Sequence, residues 1–273
     1  MAQSQTVELS YEYLNQARKG LAPHPYAASI AWTRNINAFR TWLERCQLTD
    51  KQVLEVGVGS GKLQDAVSGY IGLDIELAFA QYFHAPFVNG SALAMPFADN
   101  TFDGAWSIWV LEHISEPEQM LAEMRRVVKP DGSIFLCVAY SVDSWIAQGL
   151  HKRAFSELSL RQRLIKTTIP LRQTKAYKSI TRLAYRMLDL WRYQRRLGQT
   201  SLRYRKLVPN FETYWDYDAD ACASIDAYSV ALYFLSRGDQ SLYPAGVVRS
   251  LLQQSQPQAF IINKPAVIST GQN

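Results

Sequence analysis

Three glycines alternate with small residues directly after a short apolar run in VLEVGVGSGKL, residues 53–63. Glycine has no side chain, so a ligand can lie directly against the backbone of such a loop. The spacing predicts a ligand-binding loop, and the question is whether it holds a pyrophosphate, a nucleoside triphosphate or something else. The loop glycines are Gly57, Gly59 and Gly61.

Two common phosphate-binding patterns fail in this loop. The dinucleotide fingerprint G-x-G-x-x-G fails because Lys62 stands at its third glycine position. The triphosphate loop G-x-x-x-x-G-K-[ST] fails because Val56 replaces its first glycine and Leu63 its hydroxyl residue. The segment instead reads E-x-G-x-G-x-G from Glu55 onward.

Two acidic residues indicate what the ligand looks like. Glu55 precedes the turn, where an acid suits a ligand with a positive end better than a pyrophosphate. Asp74 closes the next apolar run, seventeen residues beyond Gly57. An acid at that point can accept hydrogen bonds from both hydroxyls of a ribose. The residues thus outline a ligand with a cationic end and a ribose, without a requirement for phosphate.

Alternating strands and helices must position these residues. Apolar residues at helical spacing over 27–46 predict a first helix, and PEQMLAEMRRVVKPDG predicts a helix that ends at Pro130 and Gly132. Such alternation implies a parallel sheet wrapped on both sides, with its ligand at the carboxyl ends of the strands. The predicted strands are VLEVGVG, 70–75, 87–90, 102–109, 133–139, 241–244 and 259–264, with a further helix over 226–238.

The segment after Tyr140 follows a different pattern. Residues 143–206 contain no convincing strand, and an amphipathic basic helix is predicted within them. From 151 to 206 there are 16 Lys or Arg and two acidic residues, although the net charge of the 273-residue chain is only +5. This asymmetry suggests an anionic partner. The apolar positions of the helix are Ile180, Leu183, Ala184, Met187, Leu188 and Trp191.

Composition excludes several other classes of protein. The longest uncharged apolar stretch is too short for a bilayer, and the N-terminus lacks the pattern of a secretory signal. Three distant cysteines offer neither zinc spacing nor a disulfide framework, and the aspartates of 216–220 fail the calcium-loop pattern. We therefore expect no metal site and a cytoplasmic protein, with peripheral membrane contact as an alternative.

Four collinear segments resemble the class I S-adenosylmethionine-dependent methyltransferases, in particular the methyltransferase type 11 group. The resemblance covers about residues 50–140. It implies a Rossmann-like α/β fold with a mixed seven-stranded sheet, a helical lid insertion, and S-adenosylmethionine as cofactor with S-adenosylhomocysteine as product. The segments are VLEVGVGSG, GYIGLDIE, NGSALAMPFADNTFDGAWSIWVLEHI and EMRRVVKPDGSIFLCV.

The resemblance also assigns roles to individual residues. The glycines would pass beneath the methionine portion and the ribose, Glu55 would face the amino group, and Asp74 would hold the ribose. Ile75 would flank the adenine, and the segment from Ser91 would reach its edge, although the family more often has aspartate at that position. The implied cofactor residues are Glu55, Gly57, Gly59, Gly61, Asp74, Ile75, Ser91, Ala92, Leu93, Ser107 and Trp109.

The acceptor side is less defined. His113 is a candidate general base, although a Glu-His pair at this point is common in the family whatever the substrate. Tyr214 and Trp215 could stack on a flat acceptor and Asp218 could form a polar wall, whereas helix capping by Asp220 or Asp226 would be a purely structural use of this segment. The predicted domains are an N-terminal helical cap (1–50), the cofactor-binding domain (51–142 and 216–273) and the basic helical insertion (143–215).

These observations favour methyl transfer to a small or lipid-linked acceptor, on oxygen of a glycan-like or phenolic molecule. The alternatives are an RNA methyltransferase that uses the basic segment, and a cofactor-binding protein without turnover. The basic helix, residues 176–197, could be a solvated lid, select an anionic acceptor or contact anionic lipid. Nucleic acid is the weaker partner because no base-reading motif is present. The oligomeric state stays open.

Overall fold

A seven-stranded sheet forms the centre of the protein within the residues that the structure, a computed structural model, describes. Those residues are 30–59, 61–138, 142–210, 218–243, 251 and 257–264. The strands of the sheet are β1 (Gln52–Val56), β2 (Gly69–Asp74), β3 (Phe87–Asn89), β4 (Phe102–Ile108), β5 (Val128–Cys137), β8 (Gln240–Ser241) and β9 (Gln258–Ile261).

The strand order is β3-β2-β1-β4-β5-β9-β8. Strands β1 to β5 are parallel, whereas β9 runs antiparallel to β5 and β8 antiparallel to β9. The chain order reverses between β1 and β4, so the carboxyl ends of these two strands border the crevice in which such sheets bind ligands. The predicted mixed seven-stranded Rossmann-like sheet is confirmed.

Helices cover both faces of the sheet because successive strand residues point to opposite sides. The described helices are α1 (Ile30–Arg45), α2 (Pro117–Val127), α3 (Ser144–Ala147), α4 (Leu160–Arg172), α5 (Lys175–Gln194) and α6 (Ala227–Leu235). Leu54 and Val56 pack with the apolar faces of α2 and α6. Val53 faces the other side, where α1 contributes Phe39 and Trp42 to an aromatic layer. Among the described residues, no helix combines the length and apolar character needed to cross a bilayer.

The aromatic layer fixes β1, β4 and β5 against α1. Trp42, Trp106 and Phe135 are fully buried, with ring centroids 5.5–6.3 Å apart for the pairs that include Trp42. The indole of Trp42 donates to Ser133 Oγ at 2.6 Å, which satisfies its buried N–H. Each large apolar side chain buried in this way contributes about 1.5–3 kcal/mol. The layer holds the strands whose ends border the crevice.

The structure corrects several sequence predictions in the second half of the chain. A short strand, β6 (Tyr204–Lys206), lies inside the segment predicted to contain none, and it pairs antiparallel with β7 (Ala223–Ile225). β5 begins at Val128 rather than 133, because the chain enters the sheet directly at the end of α2. The predicted strand 241–244 reduces to Gln240–Ser241. The proposed domain boundaries stay predictions.

Candidate cofactor and acceptor site

The glycine loop adopts a backbone that only glycine accommodates readily. The φ angles of Gly57, Gly59 and Gly61 are 77°, 50° and 68°, all in the left-handed region. The Gly57 amide donates to Leu73 O at 2.8 Å, which ties the loop to β2. A Cβ on Gly57 would lie 2.3 Å from Val110 Cγ2, so the loop after β4 packs directly on this glycine. A Cβ on Gly59 would have no atom within 4 Å, so the loop is open to a ligand there.

Asp74 connects the glycine loop to the end of β2. Its Oδ2 accepts from the Gly59 amide at 3.1 Å, and its Oδ1 accepts from the Glu76 amide at 3.0 Å. Burial raises the pKa of this carboxyl group, and the backbone donors oppose the rise. A carboxylate has about four lone-pair sites, so these backbone donors leave acceptor capacity for a ligand. The geometry suits the two hydroxyls of a ribose.

Ile75 follows Asp74 in the chain, and the turn at Ser91 follows β3, the strand that pairs with β2. Ile75 is 49% exposed, which is unusual for a large apolar residue beside a buried one and leaves a face for adenine. Ser91 Oγ accepts from the Leu93 amide at 3.2 Å and keeps its own proton to donate. The carbonyl of Leu93 already accepts from Gln119 at 2.7 Å, and Ala92 packs against the core.

Glu55 lies deeper than its predicted role requires. The residue is buried, and its carboxylate accepts from the Tyr70 hydroxyl at 2.5 Å. Burial raises the pKa of Glu55 to about 7, although the hydrogen bond from Tyr70 opposes the rise. Tyr70 is thus a partner that sequence reasoning missed. A contact between Glu55 and the cofactor amino group stays a prediction.

The end of β4 forms the wall opposite β2. The Ser107 hydroxyl is buried and donates to Val56 O at 3.0 Å, so it ties β4 to β1. Trp109 adopts a φ of 57°, outside the region that residues with a side chain prefer, and its amide donates to Cys137 O at 2.6 Å. Strain of this kind is often found at functional sites. The indole of Trp109 packs against the aromatic layer.

His113 lies on a short 3-10 turn, Leu111–His113, that begins directly after Val110. Its Nδ1 lies 3.3 Å from Asp220 Oδ2, in an ion pair rather than a well-directed hydrogen bond. Burial favours the neutral imidazole, but Asp220, Glu112 and Asp218 together outweigh it and raise the pKa of His113 to about 9. The imidazole is therefore protonated at neutral pH.

Acidic residues from two distant segments surround this imidazole. Glu112 is fully buried, and Asp218 adopts a φ of 60°. One ligand atom each of Glu112, His113 and Asp218 lie within 4.8 Å of one another. Such spacing would suit a small cation, and binding one through the imidazole would require His113 to release its proton.

In residues 218–220, the described part of the 216–220 segment, the structure shows an ion pair rather than helix capping, and the polar wall formed by Asp218 stays a prediction. Asp220 pairs with His113, and Asp226, at the N-cap of α6, binds Arg186 instead of capping the helix with its side chain. The alternating aspartates were the available signal, but nothing local identified their partner. Tyr214 and Trp215 lie outside the described residues.

The sheet order, the glycine loop after β1 and the carboxylate after β2 together define a class I, Rossmann-like methyltransferase fold. Residues 54–136 match the family model described as "Methyltransferase domain". The resemblance drawn from the motifs is thereby confirmed: this segment forms a methyltransferase domain of the class I type.

Curated relatives match over part of the chain. A "Demethylmenaquinone methyltransferase" of Renibacterium salmoninarum is 36% identical over 93 residues, which are 31% of this chain and 39% of the relative. An "Uncharacterized methyltransferase" of Mycobacterium tuberculosis is 36% identical over 118 residues, 39% of this chain and 45% of the relative. The chain therefore spans less than half the length of these relatives.

Among solved structures, one similar chain belongs to the complex between the Haloferax volcanii Trm112 methyltransferase activator and a methyltransferase. It is 24% identical and covers 46% of this chain and 59% of its own, with a TM-score of 0.35. Another is the [4+2]-cyclase SpnF, 22% identical over 52% of this chain and 63% of its own, with a TM-score of 0.39.

Proposed function

We propose that this protein transfers a methyl group from S-adenosylmethionine to an oxygen atom of a small or lipid-linked phenolic acceptor. One observation carries the proposal: the carboxylate of Asp74 is held by the Gly59 amide beside an open, left-handed glycine loop. This arrangement matches a nucleoside with a ribose and a cationic end. It lies inside the segment that matches the methyltransferase domain.

The residues present fit the cofactor. Asp74 retains acceptor sites for the ribose hydroxyls, Gly59 leaves space for the ligand backbone, and Ile75 offers an apolar face for adenine. Buried carboxylates at Asp74 and Glu55 favour a positively charged group nearby. The aromatic face of Trp109 would add cation–π attraction of about 0.5–2 kcal/mol for a sulfonium.

S-adenosylmethionine supplies an activated methyl group on a good leaving group when it is bound. The protein then has to align the acceptor oxygen with that methyl and exclude water, and orientation alone can contribute several kcal/mol. An alcohol or phenol must also lose its proton. His113 is a titratable group that the chain places beside the end of β4, within three residues of the Val110 side chain that packs on Gly57.

The ion pair decides how His113 would act. With a pKa of about 9, its imidazole is mostly protonated at neutral pH, and the minor neutral form would accept the proton of a phenol. A phenol has a pKa of about 10, close enough for proton exchange with this imidazole to be nearly balanced. The name of the Renibacterium salmoninarum relative, a demethylmenaquinone methyltransferase, supports a lipid-linked aromatic acceptor of this kind.

Calorimetric titration with S-adenosylmethionine tests the cofactor site. Asp74→Asn removes one charged acceptor, and charge-assisted hydrogen bonds contribute about 1.5–3 kcal/mol, so affinity should fall about 10- to 100-fold. Asp103→Asn is the matched control, since Asp103 is the second residue of β4, at the opposite edge of the sheet, and binds Lys129 Nζ at 2.7 Å. Equal affinity in wild type and Asp74→Asn would refute the ribose assignment.

Transfer of the tritiated methyl group from labelled S-adenosylmethionine to a panel of phenols, quinols and glycans tests the chemical class of the acceptor. We expect turnover with a phenol or quinol, and a loss of kcat in His113→Gln without a comparable loss of cofactor affinity. Turnover confined to glycans or RNA would contradict the acceptor class. Cofactor binding with no turnover on any acceptor would favour a non-catalytic protein.

A further inference from the structure

Helix α5 buries two charged side chains against the protein and exposes several large apolar side chains. Arg186 and Asp189 are almost completely buried, with 0% and 5% of their surface exposed. The opposite face carries large apolar residues that a packed lid would bury. Their exposed fractions are 72% for Ile180, 55% for Met187, 45% for Leu188 and 49% for Trp191.

Ion pairs fix this reversed orientation. Arg186 Nε donates to Asp226 Oδ2 at 2.9 Å, which joins α5 to the N-terminus of α6. Asp189 accepts from the guanidinium of Arg203 at 2.8 and 2.9 Å, just before β6. Rotating α5 to bury its apolar face would leave these charges without partners, at a large free-energy cost. The outward apolar stripe is therefore a stable feature of the fold.

Helix α4, which precedes α5, is also apolar on its outer side. Leu160, Leu164 and Leu171 are 78%, 71% and 59% exposed and lie at helical spacing on one face. The inward face of α4 carries Ile165 and Ile169, which pack with Trp145. Large apolar residues exposed along one face of each of two successive helices are typical of an interaction site.

Basic residues flank the apolar stripe of α5. Arg192 and Arg195 are exposed at its end, and the guanidinium of Arg195 lies 5.9 Å from the ring centroid of Trp191. The segment 151–206 that contains both helices has 16 Lys or Arg and two acidic residues. An apolar face with a basic border and an aromatic anchor is typical of helices that lie in the interface of an anionic bilayer.

We propose that the α4–α5 hairpin, residues 160–194, docks on an anionic lipid surface, with the apolar stripe in the interface and the arginines at the head groups. RNA would supply phosphates but no apolar phase for the leucines. A second copy of this chain would supply apolar surface but would place two strongly basic segments against each other. An anionic bilayer satisfies both the charge and the apolar area.

Vesicle co-sedimentation of the full chain, without cofactor or acceptor, tests this docking separately from the proposed activity. The probes are phosphatidylcholine vesicles with and without about one quarter phosphatidylglycerol. We expect binding that depends on the anionic lipid and weakens with added salt. Replacing Ile180, Met187 and Trp191 by serine should lower the affinity at least 10-fold. Val208→Ser, at a residue 86% exposed outside the hairpin, should leave it unchanged.

Two charge-reversal variants distinguish lipid contact at the hairpin from an effect of the net charge of the chain. Arg192→Glu with Arg195→Glu should lower vesicle affinity by more than about 25-fold, since each basic residue near the surface contributes about 5-fold. Arg40→Glu with Lys51→Glu changes the net charge equally from exposed positions outside the hairpin and should have a smaller effect. Thermal melts check that every variant is folded.

Three results would overturn the proposal. The first is equal binding to neutral and anionic vesicles. The second is unchanged binding of the serine variant. The third is a wild-type chain that does not bind anionic vesicles but binds RNA, or that forms a dimer in analytical ultracentrifugation. In that case the serine or the glutamate variant would abolish the RNA binding or the dimer.

Discussion

Asp220→Asn should lower the pKa of His113 by more than one unit. The pKa of about 9 stands roughly 2.5 units above the ordinary value of 6.5, which corresponds to roughly 3 kcal/mol in favour of the imidazolium. Asp220, 3.3 Å from Nδ1, is the principal cause of the increase, and burial opposes it. Without this carboxylate, burial favours the neutral ring, while Glu112 and Asp218 retain part of the increase.

Carbon-edited NMR of histidine Cε1–H signals against pH measures this pKa directly. The chain has four histidines, and loss of one signal in His113→Gln assigns the resonance. Activity should follow the titration: log kcat/KM should rise with pH up to about 9 in the wild type and level off at a lower pH in Asp220→Asn. Titration of His113 at the same pH in both proteins, or at 6.5 or below in the wild type, would show that Asp220 does not raise the pKa of His113.

Three further substitutions test the glycine loop, the buried carboxyl group of Glu55 and the ion pair between α5 and α6. Gly57→Ala should abolish cofactor binding and lower Tm more than Gly198→Ala, because both have positive φ but only at Gly57 would the new carbon meet a neighbour, at 2.3 Å. Between pH 4.5 and about 7, the unfolded wild-type chain releases the Glu55 proton that the folded chain keeps, so the free energy of unfolding should fall by up to roughly 3 kcal/mol. Glu55→Gln should remove this decrease, and urea unfolding at pH 4.5 and 8 measures it. Arg186→Met should cost about 3–5 kcal/mol by leaving Asp226 buried without its ion-pair partner, and Arg186→Met with Asp226→Asn should recover much of the loss in the same assay.

The cofactor half of the molecule could be predicted from the sequence because its signals are local. The glycines of 57–61 and the apolar runs of β1, β2 and β4 are short-range patterns, and each strand was found within a few residues of its predicted position. Asp74 could be placed because a residue that ends a parallel strand lies at the same edge as the end of its neighbour.

The remaining features depend on pairs that are far apart in the sequence. His113 meets Asp220 across more than one hundred residues, and no local pattern links them. The periodicity of α5 predicted an amphipathic helix correctly but could not tell which face meets the protein. That choice depends on Asp226, forty residues after Arg186, because the ion pair between them holds this face of α5 against the protein.

A crystal structure of the protein with S-adenosylhomocysteine would show whether the crevice at the ends of β1 and β2 holds the cofactor. We expect both ribose hydroxyls within hydrogen-bond distance of the Asp74 carboxylate, and the homocysteine portion above Gly57 and Gly59. The ligand bound elsewhere, or a crevice filled by the protein's own side chains, would contradict this expectation.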